Sequence, residues 1–216
     1  MKTTVNPLFF RLLCAAQPGD LLRRLLLAGQ GPRLTFLADA PRIPAGPLPY
    51  HAGSVLDHLA RCMNAVAGNP PAVWMALTHD AGKLTTPAAL WPHHYGHELR
   101  GVRLAAVWAA QLQLPSAWRQ AGCMTARLHM KAGRYSELRA ATRYDLLREI
   151  AASPCASAFW QVVDADSRQA VSVQARRDWH RICELPLEGL SEERARQLAI
   201  SCLTANSAEP VSTSPK

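Results

Sequence analysis

The stretch Pro70-Pro-Ala-Val-Trp-Met-Ala-Leu-Thr-His-Asp-Ala-Gly82 is an apolar helical run that closes with an adjacent histidine and aspartate. Prolines suit the first turn of a helix and glycine suits its end, so the run predicts a helix from about 70 to 82. On a regular helix the side chains of His79 and Asp80 diverge by about 100°. Both can therefore reach one cation only where the helix ends, which Gly82 favours. Taken alone, such a pair is more often a hydrogen-bonded feature of a core.

Helical spacing continues on both sides of this run, apart from an irregular, proline-rich connector over 31–49. Hydrophobic residues make up 49% of the 216, aromatics only 6%, and alanine and leucine dominate, which favours helices over sheets. We predict an all-α, single helical domain of about seven to nine helices over 1–203, followed by a disordered tail over 204–216. The other predicted helices cover two short stretches within 7–28, then 54–66, 97–112, 115–131, 136–152, 155–182 and 191–203.

The cysteines and the start of the chain limit the class of protein. The six cysteines show no CxxC pair, and several lie on apolar helical faces, so they are interpreted as reduced, small hydrophobic residues. No run approaches the roughly 20 apolar residues of a membrane span. Arg11 interrupts the apolar start and no convincing cleavage region follows, so no signal peptide is expected and cytoplasmic localisation is predicted.

The chain carries a formal net charge of +8, much of it between residues 119 and 148. That segment holds seven basic residues against two acidic ones, a net of +5: Arg119, Arg127, Lys131, Arg134, Arg139, Arg143 and Arg148 against Glu137 and Asp145. A local excess of this kind concentrates anionic ligands nearby. A solvated helix face is an equally good interpretation, because the sequence does not show whether the charges converge.

Two further candidate ligands lie on other predicted helices. His58 shares an apolar, inward-pointing face with Cys62, although a histidine on such a face is more often satisfied by a backbone carbonyl. Asp166 ends an apolar stretch, where a carboxylate is costly to bury unless a cation or donors meet it. Asp164 is equally eligible on the sequence alone. With His79 and Asp80 these residues form a mixed nitrogen and oxygen set suited to a divalent metal.

Three basic side chains near these candidates are suited to binding a phosphate. Lys83 lies one turn past His79, although an exposed lysine at a helix C-terminus is the plainer interpretation. His97 begins a predicted helix, where anions bind. His129 ends a helix inside the basic segment. Each signal is weak alone, and their proximity to the same elements strengthens them.

The order His58…His79-Asp80…Asp166 resembles the HD superfamily of metal-dependent phosphohydrolases. The run 77–97, with its Trp-Pro-x-His-x-Gly-His loop, is similar to the HD domain of bacterial CCA-adding tRNA nucleotidyltransferases. The resemblance extends from about residue 6 to Asp166 and is most specific in the loop. The nucleotidyltransferase head is absent from this sequence, so CCA addition is not expected. The residues after Asp166 also lack the arginine-glycine-arginine character of that family, which leaves the substrate open.

The resemblance implies a role for each candidate residue. The metal ligands would be His58, His79, Asp80 and Asp166. Asp80 and Lys83 would be catalytic, and the substrate phosphate, or a second metal, would be bound by Lys83, His97 and His129. The cofactor would be a divalent ion (Mn, Fe, Ni, Co or Zn, with Mg less suited).

Two functions are compatible with this sequence. The first is a metal-dependent phosphohydrolase, of phosphatase or 2′,3′-cyclic phosphodiesterase type, whose partner is a phosphorylated small molecule, a nucleotide or an RNA end. The second is a non-catalytic HD module that binds RNA or tRNA, or assembles with a separate nucleotidyltransferase. The basic segment suits the second, since phosphate contacts dominate non-specific nucleic-acid affinity. The clustered histidines and aspartates favour the first, because a non-catalytic fold has little need of them. No membrane partner is expected, and the oligomeric state stays open.

Overall fold

The structure is a computed structural model that describes residues 6–48 and 53–205. Within these ranges it holds ten α-helices and no β-strand, which confirms the all-α fold. None of these helices has the length and apolar character of a membrane span. The helices are α1 (Pro7–Leu13), α2 (Pro18–Leu27), α3 (Val55–Ala65), α4 (Pro70–Thr78), α5 (His97–Gln111), α6 (Ser116–Gly133), α7 (Ala140–Ala151), α8 (Ala156–Ser167), α9 (Val171–Cys183) and α10 (Glu192–Ala205).

Proline and asparagine mark where several helices begin. Pro7, Pro18 and Pro70 open α1, α2 and α4, where the missing N–H has no helical partner to lose. The side chains of Asn6 and Asn69 accept backbone N–H groups at the starts of α1 and α4. The break within 7–28 and the start at 70 are therefore as predicted.

Helix α4 forms the centre of the core. Every residue from Ala72 to Thr78 is buried, and α4 packs against α3, α6 and α8. The indole N–H of Trp74 donates to the carbonyl oxygen of Trp118 at 2.8 Å. A Cβ at Gly122 would come within 2.7 Å of the same indole nitrogen, so the absence of a side chain lets α6 approach α4. The functional candidates at the end of α4 thus rest on the most buried helix of the fold.

The end of α4 differs from the prediction. The α-helix ends at Thr78, and a 3-10 turn over Ala81–Thr85 replaces its expected last turn. A Cβ at Gly82 would lie 1.9 Å from the carbonyl oxygen of His97. Gly82 therefore permits the close packing of α5 against the turn rather than capping α4. The local pattern contains no information on that tertiary contact.

The single helix predicted over 155–182 is two helices, α8 and α9. They are separated at Arg168, whose φ of 57° lies in the left-handed region that an α-helix excludes. The carboxylate of Asp164 accepts the backbone N–H (2.8 Å) and the hydroxyl (2.6 Å) of Ser172 in the first turn of α9. This break raises the number of helices in the described part of the chain to ten, one above the predicted range.

Four of the seven cations between 119 and 148 are neutralised by ion pairs. The pairs are Arg127 with Glu149, Arg134 with Glu137, Arg148 with Glu192, and Arg143 with Asp178. The last pair is buried, with 3.2 Å between Arg143 Nη1 and Asp178 Oδ2. Because ion pairs offset four of the seven cations, the structure favours the interpretation of this segment as a solvated helix face over that of a free basic patch.

The predicted tail begins inside α10, which includes Thr204 and ends at Ala205. Residues 206–216 lie outside the described residues, as do 1–5. The described part of the connector is irregular, as predicted, with one 3-10 turn over Leu37–Asp39. The domain boundaries at 1–203 stay a prediction.

Candidate metal centre

Helix α3 brings His58 into the interior of the fold. The helix starts with a capping box, in which Ser54 Oγ accepts the N–H of Asp57 (3.2 Å) and the Asp57 carboxylate accepts the N–H of Ser54 (3.0 Å). One position later, His58 lies on the buried face of the helix. Its Nε2 lies 2.9 Å from Nε2 of His79, at the end of α4. The inward orientation predicted for His58 is confirmed.

The end of α4 turns His79 and Asp80 toward the same point. Asp80, with φ −107° and ψ 11°, has already left the helix. The two side chains therefore converge, and His79 Nε2 lies 3.4 Å from Asp80 Oδ2. That carboxylate oxygen also lies 2.9 Å from Nε2 of His58. Because α4 ends at Thr78, the side chains of His79 and Asp80 can face one position. Both residues can bind one cation only under this condition.

Helix α8 supplies Asp166 and directs Asp164 elsewhere. Asp166 Oδ1 lies 3.2 Å from Nε2 of His58 and 3.6 Å from Nε2 of His79. Asp164, two residues earlier, instead caps α9 through Ser172. The structure thus separates two carboxylates that the sequence leaves equivalent. The side chain of Asp166 is 18% exposed, so Asp166 lies on the solvent-facing side of this cluster.

The separations among these atoms match those of ligands around one ion. Two ligands about 2.1 Å from a metal are about 3.0 Å apart at right angles and about 3.4 Å apart in a tetrahedron. The distances that join His58, His79, Asp80 and Asp166 run from 2.9 to 3.6 Å. We call His58, His79, Asp166 and the Oδ2 oxygen of Asp80 the outer group.

A second set of donors faces the other oxygen of Asp80. Nε2 of His97, from α5, lies 3.2 Å from Asp80 Oδ1, and Nε2 of His129, from α6, lies 3.4 Å from it. The two imidazole nitrogens are 3.4 Å apart. Asp80 Oδ1 is buried and accepts no hydrogen bond among the described residues. We call Asp80, His97 and His129 the inner group.

Backbone carbonyls fix the orientation of three of the four imidazoles. His79 Nδ1 lies 2.7 Å from the carbonyl oxygen of Ala76, and His97 Nδ1 lies 2.9 Å from that of His94. His129 Nδ1 lies 3.1 Å from the carbonyl of Thr125. A carbonyl only accepts, so each Nδ1 carries a proton, and each ring in its neutral form presents its Nε2 lone pair to the cluster. This is the arrangement by which proteins prepare histidines to bind metals.

These observations make the residues a good fit to divalent cations. In the inner group two imidazole lone pairs and an unsatisfied carboxylate oxygen point at one another, which is unfavourable without a proton or a cation between them. The donors are imidazole nitrogens and carboxylate oxygens, which suit a transition metal better than magnesium. Both groups can therefore hold a metal ion.

The fourth imidazole, that of His58, has a different neighbour. Arg61 Nη2 lies 3.1 Å from its Nδ1, and Arg61 Nη1 donates to the carbonyl oxygen of Ala165 at 2.6 Å. Because a guanidinium only donates, this contact leaves the proton of a neutral ring on Nε2. Coordination through Nε2 would require the proton to move to Nδ1 and Arg61 to turn away. Arg61 also ties α3 to the residue before Asp166.

Lys83 lies inside the site and is not an exposed helix cap. Its ammonium group is 2.7 Å from Asp80 Oδ2 and donates to the carbonyl oxygen of Ala45 at 2.8 Å. Only 5% of the residue is exposed. A buried lysine is stable as a cation only when a counter-charge and acceptors meet it, which Asp80 and Ala45 provide.

The charges within the cluster shift its pKa values. Burial lowers the pKa of His79, but the facing carboxylates of Asp80 and Asp166 outweigh burial and hold that pKa well above its usual value. Burial raises the pKa of Asp80, yet Lys83 and His79 hold it well below its usual range. The pKa of Asp166 is likewise raised by burial and brought well below its usual range, chiefly by His79. The metal-free outer group therefore retains a proton at neutral pH, which a divalent ion must displace.

Two other residues of the region have functions that the sequence did not assign. His94 is structural, since its ring nitrogens lie 2.9 Å from Thr86 Oγ1 and 2.8 Å from the carbonyl oxygen of Pro44. Cys62 lies beside the outer group, where its Sγ is within 4.8 Å of the donor atoms of His58, His79 and Asp166. The apolar helical face of Cys62 predicted an ordinary core residue. Only its spacing of four residues from His58 indicated that the two side chains lie close together.

Sequence comparison relates the chain to multifunctional CCA proteins. It is 38% identical over 143 residues to that of Alkalilimnicola ehrlichii, which covers 64% of this chain and 32% of the relative. It is 40% identical over 102 residues to that of Herminiimonas arsenicoxydans (47% and 23%) and 37% identical over 125 residues to that of Dechloromonas aromatica (58% and 29%). No family model matches the chain.

The chain spans about a third or less of the length of each of these relatives. The predicted relation to CCA-adding proteins is confirmed over that part. The assignment to the HD superfamily stays a prediction.

Proposed function

We propose that this protein is an HD-type, metal-dependent phosphohydrolase. The observation that carries the proposal is the convergence of four imidazole nitrogens on the two carboxylate oxygens of Asp80, each within 3.4 Å. In the inner group the Nε2 lone pairs of His97 and His129 face a buried carboxylate oxygen without a hydrogen bond among the described residues, an arrangement that a bound cation would make favourable. The similarity of the run 77–97 to the HD domain of CCA-adding enzymes supports the same conclusion.

Each group of donors would hold an ion, with Asp80 shared between the two. His58, His79 and Asp166 would hold the outer ion with Asp80 Oδ2, and His97 and His129 would hold the inner ion with Asp80 Oδ1. Divalent ions in these positions would supply Lewis acidity toward a phosphoryl oxygen and a bound water acidic enough to attack at neutral pH.

The protein's own groups would orient the substrate and balance its charge. Lys83 keeps a positive charge fixed beside Asp80, where it would stabilise negative charge that develops on the phosphate. Asp166 is the most exposed member of the cluster, so a phosphoester would approach from its side. The buried positions of His97 and His129 keep bulk water from the inner group.

The substrate class that we propose is a phosphomonoester or 2′,3′-cyclic phosphodiester of a nucleotide or RNA end. It rests on the relation to multifunctional CCA proteins. The alternative, a non-catalytic module that binds RNA or assembles with a nucleotidyltransferase, has less support, because ion pairs neutralise much of the basic segment on which it depends.

The test is a hydrolysis screen with the purified full-length chain. Metal-free protein is supplied in turn with Mn²⁺, Co²⁺, Ni²⁺, Zn²⁺ or Mg²⁺ and assayed on p-nitrophenyl phosphate, on bis-p-nitrophenyl phosphate and on 2′,3′-cyclic nucleotides. We expect hydrolysis with at least one transition metal, and loss of hydrolysis in Asp80→Asn. Asp164→Asn is the matched control and should keep the activity. Turnover that is unaffected by Asp80→Asn would contradict the proposal, as would steeply salt-dependent RNA binding by a protein that takes up no metal.

A further inference from the structure

Cys62 lies beside the outer group. It follows His58 by four residues on α3, so the two side chains lie one above the other on the same helix face. Cys62 is fully buried. Its Sγ, the ligand nitrogens of His58 and His79 and a carboxylate oxygen of Asp166 all lie within 4.8 Å of one another. Two ligands on opposite sides of one ion are about 4.4 Å apart, so an upper limit of 4.8 Å on these distances is compatible with one shared ion.

From this placement we infer that Cys62 is a thiolate ligand of the outer ion and selects a thiophilic metal there. The inference rests on the proposed metal centre and adds the identity of the metal to it. A set of two imidazoles, one sulfur and carboxylate oxygen favours zinc, iron or cobalt, whereas manganese and magnesium prefer oxygen donors. Binding would form a metal–sulfur bond, and the thiol proton would leave to solvent.

The surroundings of Cys62 distinguish it from a cysteine that only fills space in a core. The adjacent inner group indicates a cation independently, because Asp80 Oδ1 is buried there and accepts no hydrogen bond among the described residues. The other oxygen of the same carboxylate lies 2.9 Å from Nε2 of His58 in the outer group. A purely apolar contact would be served equally by alanine or valine. The thiol instead faces two imidazoles and a carboxylate, which are poor packing partners for an apolar group and natural partners for a metal-bound thiolate.

The inner group, by contrast, offers nitrogen and oxygen donors alone. Asp80, His97 and His129 form a ligand set in which the described residues place no cysteine. The two positions would therefore differ in their metal preference, with the softer ion in the outer group. This difference gives the inference a consequence that can be measured without any substrate.

The experiment replaces the native metal with Co²⁺ and records the near-ultraviolet absorption of the full-length chain. A cysteine thiolate bound to Co²⁺ gives an intense sulfur-to-metal charge-transfer band, which imidazole and carboxylate ligands do not give. We expect this band in the unmodified protein and its loss in Cys62→Ser and Cys62→Ala. Zn²⁺ affinity should fall in both variants, because each removes a proposed direct ligand of the outer ion. Mn²⁺ affinity should change little.

Cys123→Ser is the matched control. This thiol lies on α6, where its Sγ donates to the carbonyl oxygen of Val102, so the substitution should leave the band intact. Co²⁺ that binds to the unmodified protein without the band would overturn the inference and leave the proposed metal centre standing. Failure to bind any divalent ion would overturn both. The unmodified protein alone shows whether the charge-transfer band appears when Co²⁺ binds. Poor folding of a Cys62 variant therefore does not obscure the result.

Discussion

The outer and inner groups share Asp80 but differ in how their polar atoms are satisfied. In the outer group a carboxylate, two imidazoles and the nearby Arg61 bond one another, and Asp166 reaches the surface. In the inner group Asp80 Oδ1 is buried without a hydrogen bond among the described residues, and both imidazoles already donate their Nδ1 protons elsewhere. The outer group is thus a stable network in the absence of metal, whereas the inner group is strained without a cation. The two adjacent ion positions therefore differ in what a cation would change: it would displace a proton in the outer group and satisfy a buried oxygen in the inner group.

The largest effect is expected from Asp80→Asn, because this residue alone belongs to both groups. The amide cannot supply charge to either ion, so hydrolysis should fall to background and bound metal should be lost from both positions. Elemental analysis and activity assays measure the two effects. Circular dichroism is needed as a control, since the change also leaves the buried ammonium of Lys83 without its counter-charge. Retention of both ions would remove the basis for treating the two groups as linked.

A smaller and more selective effect is expected from His129→Ala. It removes a ligand from the inner group and leaves the outer group intact, so metal content should fall from two ions to one. Activity should drop by about 10²-fold to 10³-fold, because the ion that His129 would help to hold would no longer stabilise the charge that develops in the reaction. Metal titration followed by calorimetry would distinguish one loss from two. Equal loss of both ions would show that the groups form a single site.

Acid should weaken metal binding to the outer group. Burial lowers the pKa of His79, but Asp80 and Asp166 raise it well above its usual value, so a proton competes with the outer ion even at neutral pH. Affinity should fall about tenfold for each pH unit below that pKa. Titration of the metal at several pH values tests this, and a pH-independent affinity would contradict it.

The same shift gives the metal-free protein a defined stability profile. A histidine with a raised folded pKa stabilises the fold fully below its unfolded pKa of about 6.5, and this contribution is lost as pH rises through the folded value. The lowered pKa values of Asp80 and Asp166 act in the opposite direction, with stability present above about 3.9 and lost as pH falls through their folded values. The melting temperature of the metal-free protein should therefore decline as pH rises through the raised pKa of His79. Added metal should reverse this decline.

The smallest effect on metal binding is expected from Asp164→Ala. This variant tests whether a carboxylate two residues from Asp166 takes part in metal binding. Asp164 lies two residues from Asp166 but caps α9 through Ser172. Loss of the cap should cost about 1 kcal/mol of stability. Metal content and activity should be unchanged, in contrast to Asp166→Ala. A parallel loss of metal would mean that the division of roles between the two carboxylates is wrong.

Local sequence patterns predicted most helices because apolar spacing, prolines and caps act over a few residues. Pro70 and Asn69 mark the start of α4, and Ser54 marks that of α3, as the structure has them. The patterns failed at Arg168 and at the last turn of α4. In both places contacts between separate elements accompany the change in the backbone: the cap from Asp164 in α8 to α9, and the packing of α5 against Gly82.

The sequence by itself determined the all-α fold, the adjacency of His79 and Asp80 and the set of residue types available for a metal. Only the tertiary structure decided that Asp166 and not Asp164 joins the cluster, that Lys83 is buried against Asp80, and that Cys62 lies beside the outer group. The physical reason is that a ligand set is a property of distances between helices. Helix periodicity fixes which face a side chain occupies, but the packing of α3, α5, α6 and α8 around α4 fixes what that face meets.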